Sequence, residues 1–174
     1  RGYLSLKEWE EKTGTSCRFV ATVLNILPTV QFIGYANQLK GEEWVFSVPS
    51  PAVGATLLQG LSEQKIDDKV IATGILPLAN TSLPIVQQAQ QALGSNFNAF
   101  SLEGYVVSKM VLAILNNIQS DLTRANFLQA AGSQSYDLGG ITVDFTTDNQ
   151  GSNFVQLTTL KDGGFTPIPP ASIK

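Results

Sequence analysis

Histidine is missing from this chain altogether, cysteine and methionine occur once each, and charged residues fill only 14% of its 174 positions. Each shortage closes off a class of chemistry. Without histidine there is no imidazole base, no Ser-His-Asp triad and no histidine-bound zinc. A single cysteine, Cys17, allows no disulfide within the chain. With only Arg18 beside it, the Cys17 thiol lacks the surroundings of a reactive thiolate and reads as a small buried hydrophobe. Lys and Arg number 11 against 14 Asp and Glu, a net charge of −3 with no basic run, which argues against a nucleic-acid partner. No uninterrupted apolar run reaches the roughly 18 residues of a membrane span. There is no G-x-S-x-G, no G-x-G-x-x-G and no phosphate loop. No set of acid, base and nucleophile can be assembled, so the chain reads as a non-enzyme with neither cofactor nor metal. It opens on Arg1 without a secretory-leader pattern, so either a removed leader or an upstream segment is expected.

Apolar residues, by contrast, make up 43%, ample for a packed core. Tyr3 to Lys12 reads as an amphipathic helix with Leu4, Leu6 and Trp9 inward, stopped at Gly14. The continuous apolar run Cys17 to Leu24 has the pattern of a strand covered on both faces. Pro28, at a first helical position, opens a helix that Val30, Phe32, Ile33, Ala36 and Leu39 carry to Lys40. Strands over Glu43–Val48 and Lys69–Leu76 flank a short helix over Ala52–Glu63. This is a β-α-β-α-β order, the unit of a parallel sheet.

Beyond it the pattern changes. Thr81-Ser82-Leu83-Pro84 opens a polar helix to Leu93. Ser101 is expected to cap a long apolar helix through Leu115, with Glu103 in its first turn. Tyr105, Val106, Val107, Met110, Val111, Leu112, Ile114 and Leu115 spread around that helix, which therefore requires cover on most sides. Thr123 to Ala130 reads as a further helix. Gly140–Phe145 and Asn153–Leu160 read as extended, with turns at Asp148-Asn149-Gln150-Gly151 and Lys161-Asp162-Gly163-Gly164. Asp144, Asp148 and Asn149 lack the spacing of a calcium loop and read as solvated turn residues.

The order and spacing of several motifs resemble one family. They are Pro28 to Leu39, Val48 to Gly54, Thr81 to Val86, Ser101-Leu102-Glu103-Gly104-Tyr105, Leu122-Thr123-Arg124, Leu138-Gly139-Gly140, Val143-Asp144-Phe145, and Gln150-Gly151 before Leu160-Lys161-Asp162-Gly163-Gly164-Phe165. From about Phe19 to Ile168 they resemble the C-terminal half of type I periplasmic binding proteins, above all the leucine/isoleucine/valine substrate-binding subunits of ABC transporters. The resemblance implies an α/β fold with a mainly parallel, three-layer sheet and an incomplete two-lobe architecture. Residues 1–76 would form part of the second lobe and 77–147 the returning part of the first. Residues 148–174 would supply the crossover and final strands of the second. The opening repeats of the first lobe have no counterpart in this sequence.

In open α/β sheets ligands bind beyond the carboxyl ends of the strands. Here that places Asn25, Ile26, Ser50, Pro51 and Ala52 as ligand-binding candidates, and the resemblance points to the same two loops. Relatives that bind amino acids tend to carry an aromatic near Asn25 or Ile26 and a carboxylate near Ser50. This chain has neither, which argues against a standard α-amino acid, although Asn25 and Ser50 can still donate and accept hydrogen bonds. The plainer alternatives are a turn residue for Asn25, a loop role for Ser50 and a core role for Ile26. The functional expectation is a periplasmic or otherwise extracytoplasmic solute-binding protein. It would capture a small polar ligand, an amino acid or related compound, and deliver it to ABC transporter membrane subunits. A sensory receptor module, or an interaction domain with a decayed pocket, is the alternative. The apolar helix over residues 101–115 implies a second copy or a complementary fragment as its cover.

Overall fold

The computed structural model describes residues 1–39, 43–49, 55–66 and 69–169. In chain order the elements are α1 (Gly2–Thr13), β1 (Phe19–Ala21), α2 (Ile26–Gln38), β2 (Val45–Val48), α3 (Ala55–Glu63), β3 (Val70–Gly74), α4 (Pro84–Leu93), α5 (Ala99–Asn116), α6 (Arg124–Ala131), β4 (Ser135–Asp137), β5 (Thr142–Asp144), β6 (Gln156–Lys161) and β7 (Gly164–Pro167). The chain divides into two compact units, Arg1–Ile75 with Gln156–Lys174, and Leu76–Val155.

The first unit is a five-stranded sheet in the order β1-β2-β3-β6-β7. β1, β2 and β3 run parallel, with Val20 opposite Phe46 and Phe46 opposite Val70, and β6 and β7 are antiparallel. Parallel neighbours cannot be joined by a tight turn, so α2 and α3 are the crossovers that the β-α-β-α-β pattern requires. Their buried residues Ile33, Ala36, Leu57 and Leu61 share one core with Val20, Phe46, Val48, Val70 and Leu160. Each fully buried aliphatic side chain contributes about 1.5–3 kcal/mol.

Expectation and structure part at β1. The run Cys17–Leu24 yields three strand residues, of which only Val20 is buried. The strands follow one another in sheet order, so successive crossovers advance in one direction and lie on one face. On the other face Phe19 and Ala21 are exposed, while Val45, Ile71 and Leu157 are half-buried. Of the helical layers expected on the two sides of the sheet, this chain supplies the one built from α2 and α3. α1 ends at Gly14, whose left-handed φ of 64° completes the stop expected there. The Glu10 carboxyl is held below its usual range by Lys7 and then by the Cys17 N–H. Cys17 is half-buried against the core.

The second unit packs α4, α5 and α6 with the antiparallel pair β4–β5 around Ile85, Val86, Leu102, Val106, Ile114, Tyr136 and Val143. β4 was not expected, because Ser133-Gln134-Ser135 has the polarity of a loop. Tyr136 supplies the missing reason. Its hydroxyl donates to the Ala130 carbonyl at 2.6 Å and its ring is buried. Asp137 accepts the N–H groups of Gly140 and Gly139, which hold its carboxyl below the usual range.

The N-cap of the long apolar helix α5 is Asn98, not Ser101. Asn98 Oδ1 accepts from the N–H groups of Phe100 and Ser101, while Ser101 Oγ accepts from the Asn98 N–H at 2.8 Å. Asparagine caps as well as serine, and the reciprocal bond makes Ser101 the third residue of a capping box. Glu103 accordingly falls outside the first turn. α2 likewise begins two residues before Pro28, with Asn25 at the N-cap. α4 begins at Pro84, the last residue of the opening expected over Thr81–Pro84, with Leu83 at its N-cap. The helix expected from Thr123 to Ala130 is α6, Arg124–Ala131, with Thr123 as its N-cap, the Thr123 Oγ1 accepting from the Asn126 N–H.

With 18 residues and a mean hydropathy of 1.3, α5 is long and apolar enough to cross a membrane by length and composition. Glu103 and Lys109 interrupt its sequence, so its apolar residues form no unbroken run. Leu102, Val106 and Ile114 anchor it in the core, whereas Phe100, Val107 and Leu112 are exposed.

Candidate functional site

β1, β2 and β3 point their carboxyl ends the same way, so Thr22–Asn25, Pro49 and Ile75 mark one rim of the first unit. Threonines tie this rim together. Thr22 donates its N–H (2.9 Å) and its hydroxyl (2.7 Å) to the Ser47 carbonyl, and Thr73 Oγ1 donates to the Val48 carbonyl. Thr29, fully buried, donates its N–H and its hydroxyl to the Asn25 carbonyl, fixing the turn from β1 into α2. The rim is thus held by backbone carbonyls and short hydroxyls rather than by ion pairs.

Asn25 stands at the head of α2 with extended backbone, and its side chain makes no capping bond. An N-cap amide normally accepts from the first turn. Here it remains exposed, with both its donor and its acceptor available. Asn25, Ile26, Leu27 and Pro28 line an open depression of about 420 Å³. Asn25 and Ile26, adjacent in sequence, both line it, and Ile26 also packs against the core. Ser50, Pro51 and Ala52 lie outside the described residues.

Several residues of the rim were not anticipated. Val23 is 88% exposed, Leu27 66% and Ile75 59%, and Leu24 is also exposed. In sequence they extend apolar strand and helix patterns and read as interior. One available signal was that the apolar run continues past the last residue of β1 that can pair.

Two further depressions lie in the second unit. One of about 240 Å³ is lined by Asn117, Gln119, Asn126 and Gln129, among others. The other, about 370 Å³, lies along residues 140–154 and includes Asp144 and Asp148. Those carboxylates serve their own turns. Asp144 Oδ1 accepts from the Thr146 hydroxyl and N–H, which lower its pKa in that order, and Asp148 Oδ1 accepts from the Gln150 N–H. Among the described residues no group of three Cys, Asp or Glu side chains could hold a metal ion.

No family model matches the sequence, and no curated protein matches it. Solved structures do. A possible leucine/isoleucine/valine-binding protein from Rhodopirellula baltica SH 1 superposes with a TM-score of 0.75 at 20% identity, covering 87% of this chain and 42% of its own. An extracellular ligand-binding receptor from Verminephrobacter eiseniae gives 0.75 at 21% identity, covering 90% and 46%. A branched-chain amino-acid ABC transporter protein from Thermus thermophilus with bound valine gives 0.70 at 15% identity, covering 95% and 48%. These neighbours are type I periplasmic binding proteins, and this chain shares their α/β fold while spanning less than half the length of each. They are substrate-binding transport and receptor proteins rather than enzymes.

Proposed function

We propose that this chain is part of an extracytoplasmic solute-binding protein that captures a small ligand at the carboxyl rim of β1–β3 and presents it to ABC transporter membrane subunits. The observation that carries this reading is the open rim itself. Three parallel strand ends, an uncommitted Asn25 amide and a depression of about 420 Å³ lie where ligands of open α/β sheets bind. The shared fold supports it, and so does the valine held by the Thermus protein. In this reading residues 1–76 belong to one lobe with the final strands of 148–174, and 77–147 to the other. Binding acts by favouring a closed form, with no bond made or broken. Candidate contacts are Asn25 and Ile26, together with Ser50, Pro51 and Ala52.

Titration calorimetry against amino acids, their amides and short organic acids tests this. Saturable heat and a raised melting temperature are expected with one chemical class. No heat and no thermal shift with any of them would remove the reading. The Verminephrobacter neighbour supports a second reading, a receptor's sensory module. A membrane-spanning segment encoded beyond Lys174 would favour it.

The exposed apolar side of α5 supports a covering partner over residues 101–115, an α/β segment like the unmatched part of the neighbours. Val107 is 49% and Leu112 55% exposed there, and Phe100, just before, is 75% exposed. Expressed by itself, the chain is expected to self-associate at micromolar concentration. Light scattering that finds a dilute, stable monomer would contradict this.

A further inference from the structure

Asn80-Thr81-Ser82 is the one place in the chain where an asparagine is followed two residues later by Ser or Thr with no proline between. That spacing is the acceptor pattern for N-linked glycans, which belong on surface loops of exported chains. The tripeptide recurs by chance in many sequences, so its surroundings decide. Here it lies in the turn that leads into α4. The Leu78 carbonyl accepts from the Thr81 N–H at 3.1 Å and from the Thr81 hydroxyl at 3.0 Å, closing a turn with Asn80 as its third residue. Gln90 of α4 donates its Nε2 to the Ala79 carbonyl at 2.8 Å and pins the turn to the helix. Thr81 and the backbone therefore hold the turn. Asn80 and Ser82 are both exposed, and among the described residues neither side chain makes a hydrogen bond.

Asparagine and serine in turns before helices ordinarily bond back to the backbone, as Asn98 does at the head of α5. At the head of α4 the cap residue is Leu83, and no side chain caps the helix. Asn25 also has an unspent amide, but Leu27 stands two residues after it. Asn80 combines a free carboxamide, a free hydroxyl at the acceptor spacing and an exposed turn fixed by other residues. We infer that Asn80 is an acceptor for an N-linked glycan. The inference rests on the extracytoplasmic placement proposed above, because a chain meets the lipid-linked oligosaccharide donor on export. In the transfer a C–N bond forms between Asn80 Nδ2 and the anomeric carbon of the sugar. The bond from that carbon to the donor's phosphate oxygen breaks, the lipid phosphate leaves with the electron pair, and an Nδ2 proton passes to a base of the transferase. On this turn the glycan extends into solvent, and no buried contact opens to admit it.

The whole chain, incubated with a purified oligosaccharyltransferase and a lipid-linked oligosaccharide, is expected to gain the mass of a single glycan, mapped to Asn80 by peptide mass spectrometry. Asn80→Gln and Ser82→Ala are each expected to abolish the gain, and Ser82→Thr, which keeps a hydroxyl at that position, to retain it. Circular dichroism of all three variants should match the unaltered chain, since neither side chain is bonded. No gain, or a gain that survives Asn80→Gln or Ser82→Ala, would overturn the inference. Protein isolated from the extracytoplasmic fraction of its source is expected to lose mass on treatment with a peptide N-glycosidase, which converts a glycosylated Asn80 to aspartate. Exported protein with an unmodified Asn80 would also overturn the inference while leaving the solute-binding reading in place. A glycosylated Asn80 in a chain that gives no heat with any solute would remove the solute-binding reading alone. Protein found only in the cytoplasm would remove the extracytoplasmic placement and the glycan with it.

Discussion

Trp44→Ala is expected to cost about 3–5 kcal/mol, the range for emptying a large aromatic site in a closed core. Trp44 is 1% exposed and is the largest fully buried side chain. Its ring lies 5.4 Å from Tyr3 and 6.3 Å from Phe46, centroid to centroid, so it joins α1 to the sheet. After Lys7 and the Cys17 N–H, its indole also helps to hold the Glu10 carboxyl below its usual range. The substitution therefore removes packing and a polar anchor together. Urea denaturation followed by the fluorescence of the remaining tryptophan, Trp9, and by circular dichroism would measure it. Trp44→Phe keeps most of the packing and should lose well under half as much. A loss below about 1 kcal/mol for the alanine variant would mean that the first unit does not depend on this contact.

Gly139→Ala is expected to destabilise the second unit by roughly 2–4 kcal/mol, combining backbone strain with overpacking. Gly139 has a φ of 99°. A Cβ there would stand 3.0 Å from the Ile85 nitrogen, and that nitrogen donates to the Gly139 carbonyl, so a shift would break the bond. Ile85 is fully buried at the start of α4, and the damage would reach the core. Gly14→Ala provides the comparison. It too has positive φ, but nothing lies within 4 Å of its Cβ position. Its cost should be the strain alone, about 1 kcal/mol. Both tryptophans belong to the first unit, so the Gly139 variant should move the circular-dichroism transition more than the fluorescence transition. Coincident, unshifted transitions would show that the 139–140 turn tolerates a side chain.

How much of the fold was legible can be judged element by element. The parallel set β1–β3 announced itself because strand-length apolar runs alternate with helical periods at crossover spacing. The stop at Gly14 was legible because it depends on one residue's local chemistry. Ser101 misled because it stands three residues after a better-placed Asn98, and only the reciprocal bond distinguishes the cap from its partner. β4 was hidden because one buried ring, Tyr136, holds a polar strand in place. On the rim, the exposure of Val23, Leu27 and Ile75 was not legible. Apolar patterns do not show where a sheet ends.

Sequence alone determined the β-α-β-α-β order of β1 to β3, the absence of histidine and the absence of any disulfide within the chain. These are properties of composition and of local periodicity, and folding cannot alter them. Tertiary structure decided which face of β1 is covered, which asparagine caps α5, and that the Asn25 amide is left uncommitted beside exposed hydrocarbon. Each of those depends on where distant segments pack. Burial and hydrogen-bond partnership are shared between residues far apart in the chain, and no single stretch encodes them.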